Sequence, residues 1–157
     1  MSLPLPLLAM TAFSTAIPAT RLLRLPDAHG ALLADFDFYP EHDLLHISWH
    51  GHLTAEAVVR GAKAGMQLFA TGTLPRRLLS NHQAVTGEWG EALPWLHYEW
   101  LPEASARGVL AHVLAHGTAS QLINFAGSHE FIAAITYELR ARSFRHVEPA
   151  LQWLAPR

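Results

Sequence analysis

Apolar and polar positions change their spacing several times along this chain, and each change predicts a new element. From Leu44 to Gly51, Leu45, Ile47 and Trp49 alternate with His46, Ser48 and His50, the period of two of a strand with one face in a core. Before it, Arg21 to Leu25 and Leu32 to Tyr39 are short β-like runs on either side of Pro26-Asp27-Ala28-His29-Gly30, which predicts a hairpin. After it, Thr54 is placed to cap a helix whose Ala55, Val58, Ala62, Met66 and Phe69 keep a 3.6-residue period, and Gly72 suits its exit. Leu78 and Leu79 then mark a buried strand over Arg76 to Ser80 that reaches a polar loop at Asn81, His82 and Gln83. Trp89, Leu93, Leu96, Trp100 and Ala104 form one stripe of a helical region beginning near Thr86, whose hydroxyl is expected to cap it. Pro94 and Pro102 should divide that region into two short helices at an angle. Val109 to Ala115, apolar apart from His112, predicts another central strand. Ser128 is expected to cap a helix burying Phe131, Ile132, Ile135 and Leu139. Phe144 to Val147 reads as a short strand, and Pro149 as the first residue of a terminal helix with Leu151, Trp153 and Leu154.

A hairpin followed by alternating helices and strands implies an α/β fold. Its sheet should be mixed, with an N-terminal antiparallel hairpin and then parallel strands joined by crossover helices. In this arrangement Leu44 to Gly51 lies antiparallel to Leu32 to Tyr39, while Arg76 to Ser80 and Val109 to Ala115 are central and parallel. The length of 157 residues suits one core, over residues 21–157. Residues 1–20 form an uncharged apolar arm with Leu3, Leu5, Leu7, Leu8, Met10, Phe13 and Ile17. The prolines at 4, 6 and 18 favour an extended form, and a homodimer in which each arm crosses to its partner is the simplest way to bury it. A retained arm goes with a cytoplasmic location. Export is the alternative, because small Ser14 and Ala16 could flank a cleavage site, although the segment has no initial Lys or Arg.

Composition removes several function classes. A formal net charge of -2 lacks the basic footprint that nucleic-acid binding needs. With no cysteine there are no disulfides, thiolate metal sites or cysteine nucleophiles. No run approaches the ~20 apolar residues of a membrane span.

The element order, with certain local strings, resembles the SpoIIAA-like family of small bacterial STAS-type domains, which lies near the CRAL-TRIO lipid-binding domains in fold. The strings are Leu45-His46-Ile47-Ser48-Trp49-His50-Gly51, Trp95 with Trp100-Leu101-Pro102 and Gly108-Val109, and Ala150-Leu151-Gln152-Trp153-Leu154. They cover about residues 32 to 155. The resemblance implies a SpoIIAA-like fold and a regulatory or binding role. In anti-anti-sigma relatives a serine at a strand-to-helix junction is phosphorylated. Here that junction reads Ser80-Asn81-His82-Gln83-Ala84-Val85-Thr86-Gly87 and lacks the Asp-Ser-Ser-Gly-like string, so no phosphorylation switch is expected at Ser80 or Thr86.

Eleven histidines raise the question of a metal. His46, His50 and His52 would share one face if their strand stayed extended through Gly51. With no carboxylate at a diagnostic spacing they are weak ligand candidates, and a polar strand face accounts for them. His112 and His116 have the spacing of a metalloprotease helix, but Val113 stands where that motif needs its glutamate, and buried strand packing accounts for them. Glu88, Glu91, Glu99 and Glu103 read as a solvated face. Ser80, Ser128 and Ser143 lack a nucleophile elbow or triad. No catalytic residue and no cofactor is therefore expected. The candidate ligand or partner surface is Asn81, His82, Thr86, Trp89, Trp95 and Trp100. The expected function is a non-enzymatic regulatory or binding domain acting through protein contacts or a small ligand. The alternative is a carrier of a hydrophobic small molecule, as in CRAL-TRIO domains, with a histidine-metal enzyme third. An apolar cavity beneath Trp89 to Trp100 would favour the carrier, and a filled core with an exposed apolar patch the interaction module.

Overall fold

The computed structural model describes residues 19–69, 72–116 and 119–155. The arm expected over 1–20, and the dimer built on it, lie almost wholly outside the described residues.

Strands β1 (Thr20–Pro26) and β2 (Leu32–Tyr39) form the expected antiparallel hairpin. Asp27 Oδ1 shapes its turn by accepting from the backbone N–H groups of His29 and Ala31 at 2.8 and 2.9 Å, and Gly30 takes a φ of +86°, open to glycine without strain. β2 pairs antiparallel with β3 (Leu44–Trp49). From β3 onward the pairing is parallel, through β5 (Arg77–His82) and β7 (Ala111–His116) to β8 (Arg140–Phe144), giving the order β1-β2-β3-β5-β7-β8. The mixed sheet and its N-terminal hairpin are as the hydrophobic pattern predicts. β3 stops at Trp49 because Gly51, at φ +79°, turns the chain out of the sheet. The next residues, β4 (Gly51–His52), pair instead with β6 (Val85–Thr86) in a separate two-stranded ribbon.

Alternation along the central strands divides the core in two. Leu45, Trp49, Leu78 and Leu114 belong to the larger cluster, under helix α1 (Ala55–Gln67). Leu44, Leu79, Ala111 and Val113 form the smaller one with Ala150 and Leu154 of the terminal helix. α1 starts as predicted, with Thr54 Oγ1 accepting from Ala57 N–H at 3.2 Å. Its Gly61 lies against Trp49 so closely that a Cβ there would sit 2.2 Å from the indole ring.

Several sequence expectations are corrected. Thr86 does not cap a helix: it belongs to β6, and its carbonyl accepts from Leu53 N–H at 2.7 Å. The helical run begins at Gly90 and is one series rather than two helices, namely a 3-10 turn (Gly90–Ala92), α2 (Leu93–Trp95), a π-helical turn (Leu96–Trp100) and α3 (Leu101–Ala106). The π turn shows how Pro102 is tolerated. Leu101 N–H reaches back five residues to Leu96 C=O, and this widened turn relieves the clash a proline ring makes with the carbonyl four residues earlier. Ser128 is not a cap, because α4 runs over Ala119–Tyr137 and places it mid-helix. Of that helix's expected buried residues, Phe131 and Ile135 are exposed, while Leu139 is buried but follows the helix. The last strand is Arg140–Phe144 rather than Phe144 to Val147. Its arginines hid it: Arg140 stacks over Trp153 at 4.3 Å and Arg142 over Phe144 at 5.3 Å, so charged stems do the covering that apolar residues usually do. Helix α5 (Val147–Leu154) begins two residues before Pro149. Among the described residues, no helix is long and apolar enough to cross a membrane.

Candidate functional site

On the larger-core face, the two-residue period of three neighbouring strands sets polar side chains among apolar ones. Ser80 and His82 follow Leu78 on β5, and His112 and His116 flank Leu114 on β7. These side chains, with Trp49 of β3, face α1 and the helical run, and between them lies a cavity of about 60 Å³. Val58, Ala62 and Met66 of α1 form one wall, and Trp89, Leu96 and Trp100 close another. Among the described residues, no Lys, Arg, Asp or Glu lines it. The space equals roughly two liquid water molecules, so it takes the end of a ligand rather than a whole drug-sized one. Of its lining residues, Ile47, Ala62 and Met66 are half-buried.

The polar groups form two linked sets. In the first, Trp49 Nε1–H donates to Ser80 Oγ at 2.8 Å, and Ser80 Oγ lies 2.9 Å from His82 Nε2. Ser80 Oγ accepts from Trp49, and which atom donates in its bond with His82 Nε2 depends on the tautomer of the His82 ring. His82 stacks between Trp49 and Trp89, at centroid distances of 5.6 and 4.8 Å, and His116 stacks on Trp89 at 6.2 Å. In the second set, His112 Nδ1 lies 3.2 Å from His129 Nε2 of α4. Trp100 covers His112 at 4.6 Å, and His97 adjoins His129 at 5.4 Å.

Burial keeps all five histidines neutral. Desolvation pushes His112 down to about 3 and His116 to about 4. His82 and His129 lie well below the ordinary 6.5 through burial and then through neighbouring histidines, and burial alone lowers His97. The site therefore offers hydrogen-bonding nitrogens in an apolar setting and no positive charge. Among the described residues, His82 Nδ1 and Trp89 Nε1 are buried without a hydrogen-bond partner. The Ser80–His82 distance is that of a nucleophile and its base. A triad would need a third group orienting the base through Nδ1, and among the described residues that atom has none. Trp49 also holds the hydroxyl oxygen.

Three of the six candidate surface residues, His82, Trp89 and Trp100, meet in this cavity. Asn81 alternates to the other sheet face, its Oδ1 accepting from Gln83 N–H at 3.1 Å. Thr86 is exposed, with its Oγ1 3.4 Å from His52 Nδ1. Trp95 is half-buried in a separate groove beside Glu99 and Glu103, with Lys63 Nζ 5.9 Å from its ring centre. The three weak metal candidates part company where Gly51 turns the chain: His46 lies 3.4 Å from Ser48 Oγ, His50 pairs with Asp35 at 3.4 Å, and His52 joins the ribbon. Among the described residues, no group of three His, Asp or Glu is placed to hold a metal ion. Glu88, Glu91, Glu99 and Glu103 are all exposed, the solvated face expected of them.

Sequence reasoning left Trp49, Ser80, His97, His112, His116 and His129 out of the candidate surface. The period of two could have supplied four of these, since Ser80 shares the face of Leu78 and His82, His112 and His116 that of Leu114, and Trp49 that of Leu45. No family model, curated protein or solved structure matches the chain.

Proposed function

We propose that this domain is a non-enzymatic binder of a small apolar molecule, which inserts one end into the cavity between α1 and the sheet beneath Trp89 and Trp100. The observation that carries the reading is the cavity itself: an uncharged space of about 60 Å³ lined by residues of the larger core. An evolved core ordinarily leaves few voids larger than a water molecule. Its walls are adjustable, since Met66 is flexible and the Leu96–Trp100 turn is π-helical, a geometry frequent at functional sites. An antiparallel entry followed by parallel crossovers supports placing the domain with the SpoIIAA-like family, next to lipid-binding folds. A second reading, docking of a protein partner, is favoured by one observation: Phe131 and Ile135, one turn apart on α4, are 67% and 70% exposed.

Heptane titrated into the full chain, followed by tryptophan fluorescence and native mass spectrometry, tests the proposal. A single saturable site is expected. It should be lost in Ala62→Leu, which fills the cavity while leaving the fold intact. Failure of heptane to saturate any site refutes the proposal.

A further inference from the structure

A second concave site lies on the other face of the sheet, where the parallel strands begin. A groove of about 460 Å³ there is lined by Arg76, Arg77, Arg140 and Glu138. Arg77 of β5 and Arg140 of β8 flank Ala111 of β7 in register, and Leu44 is the next residue of the same row, so the row lies on the smaller-core face. Two strand spacings of ~4.8 Å set the two arginine backbones ~10 Å apart, and the alanine between them leaves the space open. Leu110, 57% exposed, and Leu154 of α5 give the groove apolar walls.

The arginines exceed what the fold asks of them. Arg76 pairs with Asp43 at 3.4 Å in an exposed contact, Arg77 Nη1 donates to His42 C=O at 2.7 Å, and Arg140 stacks on Trp153. A guanidinium carries five N–H donors, so Arg76 and Arg140 have donors to spare. One positive charge would serve the C-terminus of α5, which ends at the groove; three invite an anion. Glu138 breaks two local rules. It follows α4 directly at φ +53°, a conformation that glycine takes without strain, and it sets a carboxylate at a helix C-terminus, where the dipole disfavours one. Among the described residues it makes no ion pair. A side chain that costs the fold twice and is repaid by no partner in it points to a site.

We propose that this groove binds a small phosphate monoester that also carries a hydroxyl group. Its three terminal oxygens and charge of about −2 match three guanidiniums, Glu138 accepts from the hydroxyl, and the carbon skeleton lies against Leu110 and Leu154. The volume falls among small-molecule sites of about 300–1,000 Å³. No bond is made or broken. The groove and the apolar cavity lie on opposite faces of the sheet, so this inference is independent of the apolar-binder reading.

Isothermal titration calorimetry of the full chain with glycerol 3-phosphate tests the proposal. One saturable site is expected, tighter for glycerol 3-phosphate than for inorganic phosphate. Arg76→Gln and Arg140→Gln should each weaken it about tenfold, whereas Arg145→Gln, outside the groove, should leave it unchanged. Arg76 is exposed, so its variant decides the matter even if Arg140→Gln, which loses the Trp153 stack, fails to fold. Glu138→Gly should raise the urea midpoint by relieving the backbone, yet remove the preference for glycerol 3-phosphate over inorganic phosphate. A purely structural Glu138 would leave that preference intact. The proposal is overturned by no saturable binding, by binding that Arg76→Gln leaves untouched, by an unchanged preference in Glu138→Gly, or by succinate binding as tightly as glycerol 3-phosphate.

Discussion

Acidification should destabilise this fold well before pH reaches the carboxylate range, and the buried histidines set the size of the effect. In the unfolded chain each imidazole titrates near its ordinary 6.5, whereas His112 and His116 are held down at about 3 and about 4 in the fold. Below pH 6.5 the unfolded state therefore binds more protons, and stability falls with pH. The stabilisation is complete above 6.5 and is lost progressively as pH drops toward 4 and 3. At pH 5, about 1.5 pH units below the unfolded value, each histidine that stays neutral loses about 2 kcal/mol at ~1.36 kcal/mol per unit. His112 and His116 together give about 4 kcal/mol, and His82, His97 and His129, lowered by the same burial, act in the same direction. Against a typical domain stability of ~5–15 kcal/mol, that is a large fraction. Urea unfolding at pH about 7.5 and about 5 measures it as a fall in midpoint at constant slope. Histidine NMR titration of the native protein should show His112 and His116 silent over the same range. An unchanged midpoint, or His112 and His116 titrating near 6.5, would refute the argument.

Two substitutions examine the packing beneath the cavity. Gly61→Ala puts a methyl group 2.2 Å from the Trp49 ring; overpacking of ~1–3 kcal/mol outweighs the helix-propensity gain of ~1 kcal/mol, so the urea midpoint should fall, and a rise would show that Trp49 yields freely. Ser80→Ala removes the shared partner of Trp49 Nε1 and His82 Nε2 and should destabilise by about 2 kcal/mol or more, measured by urea unfolding; a loss within ~0.5 kcal/mol would mean the hydrogen-bond chain contributes little.

How much of the fold was legible in sequence depended on the period of each segment. Strands β1, β2, β3, β5 and β7 could be read because alternation, or a short apolar run bounded by turn residues, points to a strand. α1 could be read because Thr54 and a clean 3.6-residue stripe agree. α4 could not be bounded. Leu122, Ile123 and Phe125 precede Ser128, and Phe131, Ile132 and Ile135 follow it, so the apolar residues keep no single phase of the helical period, and a serine among them looks like a start. The cost was His129, whose place opposite His112 depends on where α4 begins. β8 was misplaced because arginines covering aromatic rings do not look like a strand that packs.

The site was only half visible for a related reason. Histidine in a half-polar strand is ordinary, and nothing in His46, His50 or His52 distinguishes them by sequence from His82, His112 or His116. What separates the two groups is the parallel pairing of β5 and β7, which sets His82 opposite His116 and Leu78 opposite His112, and the helical run that seals them from water. Apolar residues of the same volume would spare both the desolvation and the acid sensitivity of rings so enclosed. Of the five neutral histidines, His82 and His112 line the uncharged cavity, and they keep hydrogen-bonding capacity beside the space that the proposed apolar ligand would enter.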